Sequence, residues 1–165
     1  MTDMLPFPIN KSSTASANAA HLGKNFTVGG RLYRMVYNAA TLTAPKQKII
    51  TYTVASNACV WSAVVVATGT GATQVAGICA LTASGNITAG TYFFIQRTGD
   101  ATVKAGAACT AGAMFGPGST AGSAVTIANA HTTTGIAAAR NRVGRILAAR
   151  VTTTGLVLVR LEGII

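Results

Sequence analysis

The stretch "ITAGTYFFIQRTGD", residues 87–100, decides how the rest of the chain is read. Tyr92, Phe93, Phe94 and Ile95 form an unbroken apolar run, opened by an Ala-Gly pair and closed by Thr-Gly-Asp. A short apolar run that carries aromatics and is bounded by turn residues reads as a strand buried or paired on both faces. The expectation is a central strand, one face in the domain core and the other against a neighbouring copy. Tyr92, Phe93, Phe94 and Ile95 are therefore the candidate core or subunit-interface residues.

The flanking sequence has the same texture. "RLYRMVYNAA" at 31–40 alternates Leu32, Arg34 and Val36 with Tyr33, Met35 and Tyr37, the period of a half-buried strand. "KIITYTVA" at 48–55 and "VWSAVVVA" at 60–67 are β-branched runs bounded by Pro45, Asn57 and the Gly-rich "TGTGAT". Further strands are expected at 74–81, 91–97, 101–104, 113–116, 124–127, 143–150 and 156–162, with turns at Gly85-Asn86, Gly99-Asp100, Gly116-Pro117-Gly118 and Gly155. In the closing hairpin, Val157, Val159 and Leu161 alternate with Leu156, Leu158 and Arg160. Over 135–150, Ile136, Arg140, Val143 and Leu147 also fit helical spacing, but Gly144 in mid-run favours a strand from Val143. Many short strands with glycine-marked corners predict an all-β domain, a sandwich or small barrel, over residues 28–165. Residues 1–27 carry early prolines and the small polar stretch "NKSSTASANAAHLGKN", which reads as an extended N-terminal arm.

Composition narrows the function classes. Of 165 residues, 50% are hydrophobic, 6% aromatic and 10% charged, with 18 glycines, which suits a turn-rich β protein and not a helical bundle. Thirteen basic residues against three acidic ones give a formal charge of +10, so an acidic partner surface is expected. The longest nearly apolar run, "ACVWSAVVVA" at 58–67, is about half of a membrane span, and no membrane partner is expected. "MTDMLPFPIN" lacks the basic start and apolar run of a signal peptide. Cys59, Cys79 and Cys109 are odd in number and far from metal-knuckle spacing, and read as buried reduced thiols.

Catalysis finds little material. The acids are Asp3, Asp100 and Glu162, and His21 and His131 lie far apart, so no carboxylate pair or metal cluster is visible locally. "GPGSTAG" at 116–122 lacks the register of a nucleophile elbow, and "TGTGATQ" has Gln74 where a dinucleotide loop needs its third glycine. A non-enzyme with no cofactor and no metal is expected. The basic residues Arg31, Arg34, Arg140, Arg142, Arg145 and Arg150 are the candidate contact residues. They fit an acidic protein partner or a solvated face; a nucleic-acid groove would also need exposed stacking aromatics, which this chain keeps inside strand runs.

Over residues 74–162 the sequence resembles the capsid decoration, or cement, proteins of tailed bacteriophages. The resemblance rests on "VAGICA", "ITAGTYFFIQRTGDATVKAGAACTAGAMFGP" and "VGRILAARVTTTGLVLVRL": a small-residue strand, an Ala-Gly turn into an aromatic strand, an Arg-x-Gly turn, an Ala-Gly corner and a closing hairpin. It implies a β-tulip or barrel-like domain on the outer capsid surface of the virion, assembled in the host cytoplasm. The implied partners are the major capsid protein, whose subunits it would bridge to stabilise the head, and itself, as a homotrimer. The longer first half and the basic balance depart from the family's pattern. A tail-tube or fibre component, or a basic nucleic-acid-binding module, are the alternatives.

Overall fold

Residues 91–104 run through the middle of the protein and belong to two sheets in turn. The computed structural model describes residues 4–52, 64–66, 74–118, 122–127, 143–150 and 155–162. Its strands are β1 (Ser12–Ser13), β2 (Asn25–Val28), β3 (Arg31–Asn38), β4 (Ile49–Tyr52), β5 (Val64–Val66), β6 (Gln74–Cys79), β7 (Thr91–Gln96), β8 (Thr98–Lys104), β9 (Met114–Pro117), β10 (Ala124–Thr126), β11 (Gly144–Ile146) and β12 (Leu156–Glu162). The first sheet has the order β2-β3-β7-β6-β4-β5, with β1 also on β7, and the second has the order β10-β9-β11-β12-β8. The all-β expectation is met; a short 3-10 turn at Ser16–His21 is the helical piece among the described residues.

β7 is the central strand that its sequence predicted. It pairs antiparallel with β3, Val36 opposite Phe93 and Met35 opposite Phe94, and on its other edge with β6 and β1. Because side chains alternate along a strand, neighbouring Phe93 and Phe94 serve different cores. Phe93 and Ile95 pack with Val36, Ile50 and Leu81. Phe94 packs with Phe26, Tyr33 and Met35, with Leu5, Phe7 and Ile9 laid over it. Phe7 meets Phe94 at 5.0 Å and Phe26 meets it edge-on at 5.5 Å, geometries in which aromatic pairs attract.

A third cluster joins the sheets. Ile49, Val75 and Ile78 of the first sheet pack with Val103, Phe115, Ile146, Val157, Val159 and Leu161 of the second. Val75 and Ile78 can share this cluster, although three positions apart, because the β4–β6 register slips at Ile50/Thr51 and adds one residue to β6.

Two expectations are corrected. The sheets do not close into a barrel: just past the end of β8, Ala105 bridges Ala124 of β10, but no ladder joins the two edge strands among the described residues, and the second sheet is covered instead by the first. The reason is the passage from β7 into β8, which lays one sheet on the other and so buries its apolar face without closure. Gly99-Asp100, read as a turn, lies within β8, opposite Leu161 and Arg160. What the glycine supplies is a bend at the crossing: Gly99 has φ +81°, and a β-carbon there would meet Arg31 Cγ at 3.1 Å.

The segment read as an arm, residues 1–27, lies over its described part on the first sheet: residues 5–9 over Phe94, β1 on β7, and β2 on β3.

Candidate functional site

The chain leaves the first sheet at Arg97, and the site is built from this crossing outward. The Arg97 N–H donates to the Leu32 carbonyl at 2.8 Å, and the Leu32 N–H donates to Thr98 Oγ1 at 3.0 Å, so β3 stays attached as the strand changes sheets. Arg97 is only 4% exposed. Burial, and the Arg34 guanidinium near it, pull its pKa down to about 10 against the opposing influence of Tyr52, which still leaves it charged at neutral pH. Gln96, also buried, turns its side-chain amide onto the Thr98 and Asp100 carbonyls at 2.9 and 3.0 Å. These contacts hold the start of β8 in place.

The outer side of β12 follows from its alternation. Val157, Val159 and Leu161 are buried, whereas Leu156, Leu158, Arg160 and Glu162 face out. Leu156 and Leu158 are each 43% exposed, and Leu147, whose N–H donates to the Leu158 carbonyl, is 37% exposed. Beside this leucine group runs a row of charges set by register: Asp100, Arg160 and Arg145 lie opposite one another across β8, β12 and β11. Asp100 binds Arg160 through both oxygens, at 2.7 and 3.1 Å, and Arg145 Nε binds Glu162 at 2.8 Å. The hydrogen bond from Arg160, aided by the charges of Arg160 and Arg31, holds the Asp100 carboxyl below its ordinary value. Without these carboxylates, Arg145 and Arg160 would face each other as like charges, which costs stability in a sheet.

A cleft of about 280 Å³ opens between the edge of β8 and the segment that follows β6. Arg31, Lys46, Thr102, Leu158, Ile78 and Leu81 are among its walls, so it continues the leucine face around the sheet edge. A second hollow of about 250 Å³ is lined by small polar groups, including Ser12, Ser13, Asn86 and Thr88. Among the described residues no three His, Cys, Asp or Glu side chains converge. Cys79 and Cys109 are buried thiols, Cys79 pushed up to about 12 by burial; Cys59 lies outside the described residues.

Of the six arginines singled out in the sequence, the four described ones, Arg31, Arg34, Arg145 and Arg150, lie at separate places in the fold. Arg31 and Arg145 are exposed at the charged row. Arg34 is half-buried in the first sheet with Nε on Asn25 Oδ1 at 2.7 Å, and Arg150 donates to the Leu156 carbonyl at 2.8 Å. Arg140 and Arg142 lie outside the described residues. Phe93, Phe94 and Ile95 are fully buried within the chain, and Tyr92 is half-buried against Tyr37 at 4.9 Å. Arg160 is missing from the sequence candidates, although the alternation of "LVLVRL" places it outward next to the leucines. Arg97 and Lys46 had no such signal, since one depends on the crossing and the other on a loop folded onto β8.

No family model matches the chain, and no curated protein matches it. Among solved structures it is similar to the head fiber gp8.5 N base of bacteriophage phi29, at 11% identity and a TM-score of 0.49, over 80% of this chain and 94% of that one.

Proposed function

We propose that this chain is a structural protein of a tailed-phage particle that docks on the outer capsid surface, binding and bridging major capsid protein subunits. The observation that carries the docking is the outward face of β12, where Leu147, Leu156 and Leu158 are presented beside the arginine row. A soluble β protein ordinarily fills such outward positions with polar residues, and exposed apolar groups rimmed by charge mark contact surfaces. Its assignment to a capsid comes from the turn pattern of residues 74–162. The Ala-Gly steps of that pattern at Gly90 and Gly112 sit at positive φ just before β7 and β9.

The mechanism is linkage. A protein that binds the assembled shell and not its separated subunits stabilises it by about 2.7 kcal/mol per site at a hundredfold excess over the dissociation constant. No chemical step is involved, and self-association as a trimer would multiply the contacts. The unbalanced basic charge favours an acidic capsid surface, and such attraction fades as salt shortens the screening length to about 3 Å at 1 M.

The test is co-sedimentation of the purified protein with heads of the phage that encodes it, from low salt to 1 M. Attachment should weaken with salt without vanishing, and the Leu156→Ser/Leu158→Ser variant should bind less at every salt concentration. Absence of attachment at any salt would sink the proposal. Formation of rings or tubes would turn the assignment to a tail component, and DNA binding with a steep salt slope would turn it to a nucleic-acid module.

A further inference from the structure

We propose that the free edge of β8 is a strand-pairing site that takes an extended acidic segment of a partner chain into the cleft beside it. This goes beyond the capsid reading and does not need it, because the edge offers the same groups to any partner.

The backbone directions follow from the ladder. In an antiparallel pair a residue points both its N–H and its C=O either toward the partner strand or away from it. The Leu158 carbonyl accepts from Leu147 of the β11 side, so Leu158 is turned away from β8 and exchanges no hydrogen bond with Thr102 opposite it. Thr102 therefore points its N–H and C=O away from β12, into the cleft that it lines. The positions two residues to either side agree: the Lys104 N–H donates outward to the Gln47 carbonyl at 2.8 Å, and the Asp100 carbonyl accepts outward from Gln96 at 3.0 Å. Gln47 is held at φ +56°, a left-handed conformation uncommon outside glycine, while giving that carbonyl to β8. Both ends of the edge are thus tied down, and among the described residues none pairs with the outward side of Thr102 between them.

The walls choose the occupant. Leu158 offers apolar contact for a side chain of an added strand, and Ile78 and Leu81 form the apolar floor of the cleft. Arg31 and Lys46 stand at the rim; neither forms an ion pair with a carboxylate among the described residues, although the charge of Arg31 reaches Asp100. Asp100, in the same wall, is held by Arg160. An acidic, β-prone segment meets these needs. This chain is a poor source of one: of its three acids, Asp100 and Glu162 are bound to Arg160 and Arg145, which leaves Asp3.

The experiment uses the full chain and a blocked, fluorescently labelled peptide, Thr-Val-Asp-Val-Glu-Val-Thr, read by anisotropy at low salt and by amide hydrogen exchange. The peptide should bind and slow exchange at the Thr102 amide at least tenfold. A copy N-methylated at alternate amides should lose at least tenfold in affinity, as should the version with Lys in place of both acids. The rim variant Arg31→Glu/Lys46→Glu should lose tenfold while its circular-dichroism spectrum stays that of the folded parent. Equal binding of the N-methylated copy would overturn strand pairing, whatever the protein variants do. Concentration-dependent protection of Thr102 without peptide would assign the edge to a second copy and overturn the acidic partner. No binding of the acidic peptide to folded protein would overturn the proposal, and head attachment, measured separately, would stand or fall on its own.

Discussion

Asp100 and Asn38 show how much a single side chain carries here. Asn38 is fully buried; its amide donates to the Thr88 carbonyl at 2.6 Å and its oxygen accepts from the Thr91 N–H at 3.0 Å, fixing the turn that launches β7. In "RLYRMVYNAA" it looks like a strand-ending polar residue, and nothing local says that its partners lie some fifty positions away. Asp100 was read as a turn residue and is instead the cross-strand partner of Arg160. Its pKa is depressed, so whatever the pair adds is present above the ordinary carboxylate value of about 3.9 and is lost as pH falls below it, through the folded value. An NMR titration of the Asp100 carboxyl carbon should give a midpoint below about 3.9, and Arg160→Ala should move it back up. An unchanged midpoint in the variant would mean that Arg160 is not the cause.

At the scale of elements, β11 is a three-residue strand held between β12 and β9, with Gly144 opposite both Leu161 and Phe115. A β-carbon at Gly144 would run into the Arg160 carbonyl, which is backbone and cannot rotate aside. The glycine that argued against a helix at 135–150 is thus the residue that lets β11 approach β12. Gly144→Ala should destabilise the fold by about 1–3 kcal/mol, the usual range for overpacking, by prising β11 from β12. Urea unfolding checks this, and a variant as stable as the parent would show that the strands have room to spare. The short β1 and β2 escaped the sequence reading because Ser12-Ser13 is polar and "NFTV" turns a single residue, Phe26, into the core, too little for an apolar period, and their pairing is a consequence of β7 and β3 being there to receive them.

At the scale of the molecule, the two sheets share one strand-to-strand passage and one core. Ile49, Val75 and Ile78 have their covering atoms in the second sheet, and Val103 and Phe115 have theirs partly in the first, so the inner face of the second sheet is buried only with the first in place. The sheets should therefore unfold as one unit. Hydrogen exchange in rising denaturant should give the same midpoint for amides of β7 and of β12; separated midpoints would show that the second sheet stands by itself. The same layering turns Leu147, Leu156 and Leu158 outward, because the inner side of β12 is already filled by Val157, Val159 and Leu161 packed in the shared cluster.

By itself, the sequence determined the elements whose signal is local: β3, β4, β7 and β12, the outward positions of β12, and the all-β class. Each rests on alternation, branched side chains or a turn glycine within a few residues, and so is written where it acts. Only the tertiary structure decided that β7 continues into another sheet, that the sheets stack open, that Arg97 is buried, and that Thr102 looks into a cleft beside Arg31 and Lys46. Those facts depend on which distant strand occupies each edge and face, and period-two alternation gives a strand's sidedness without naming its neighbour.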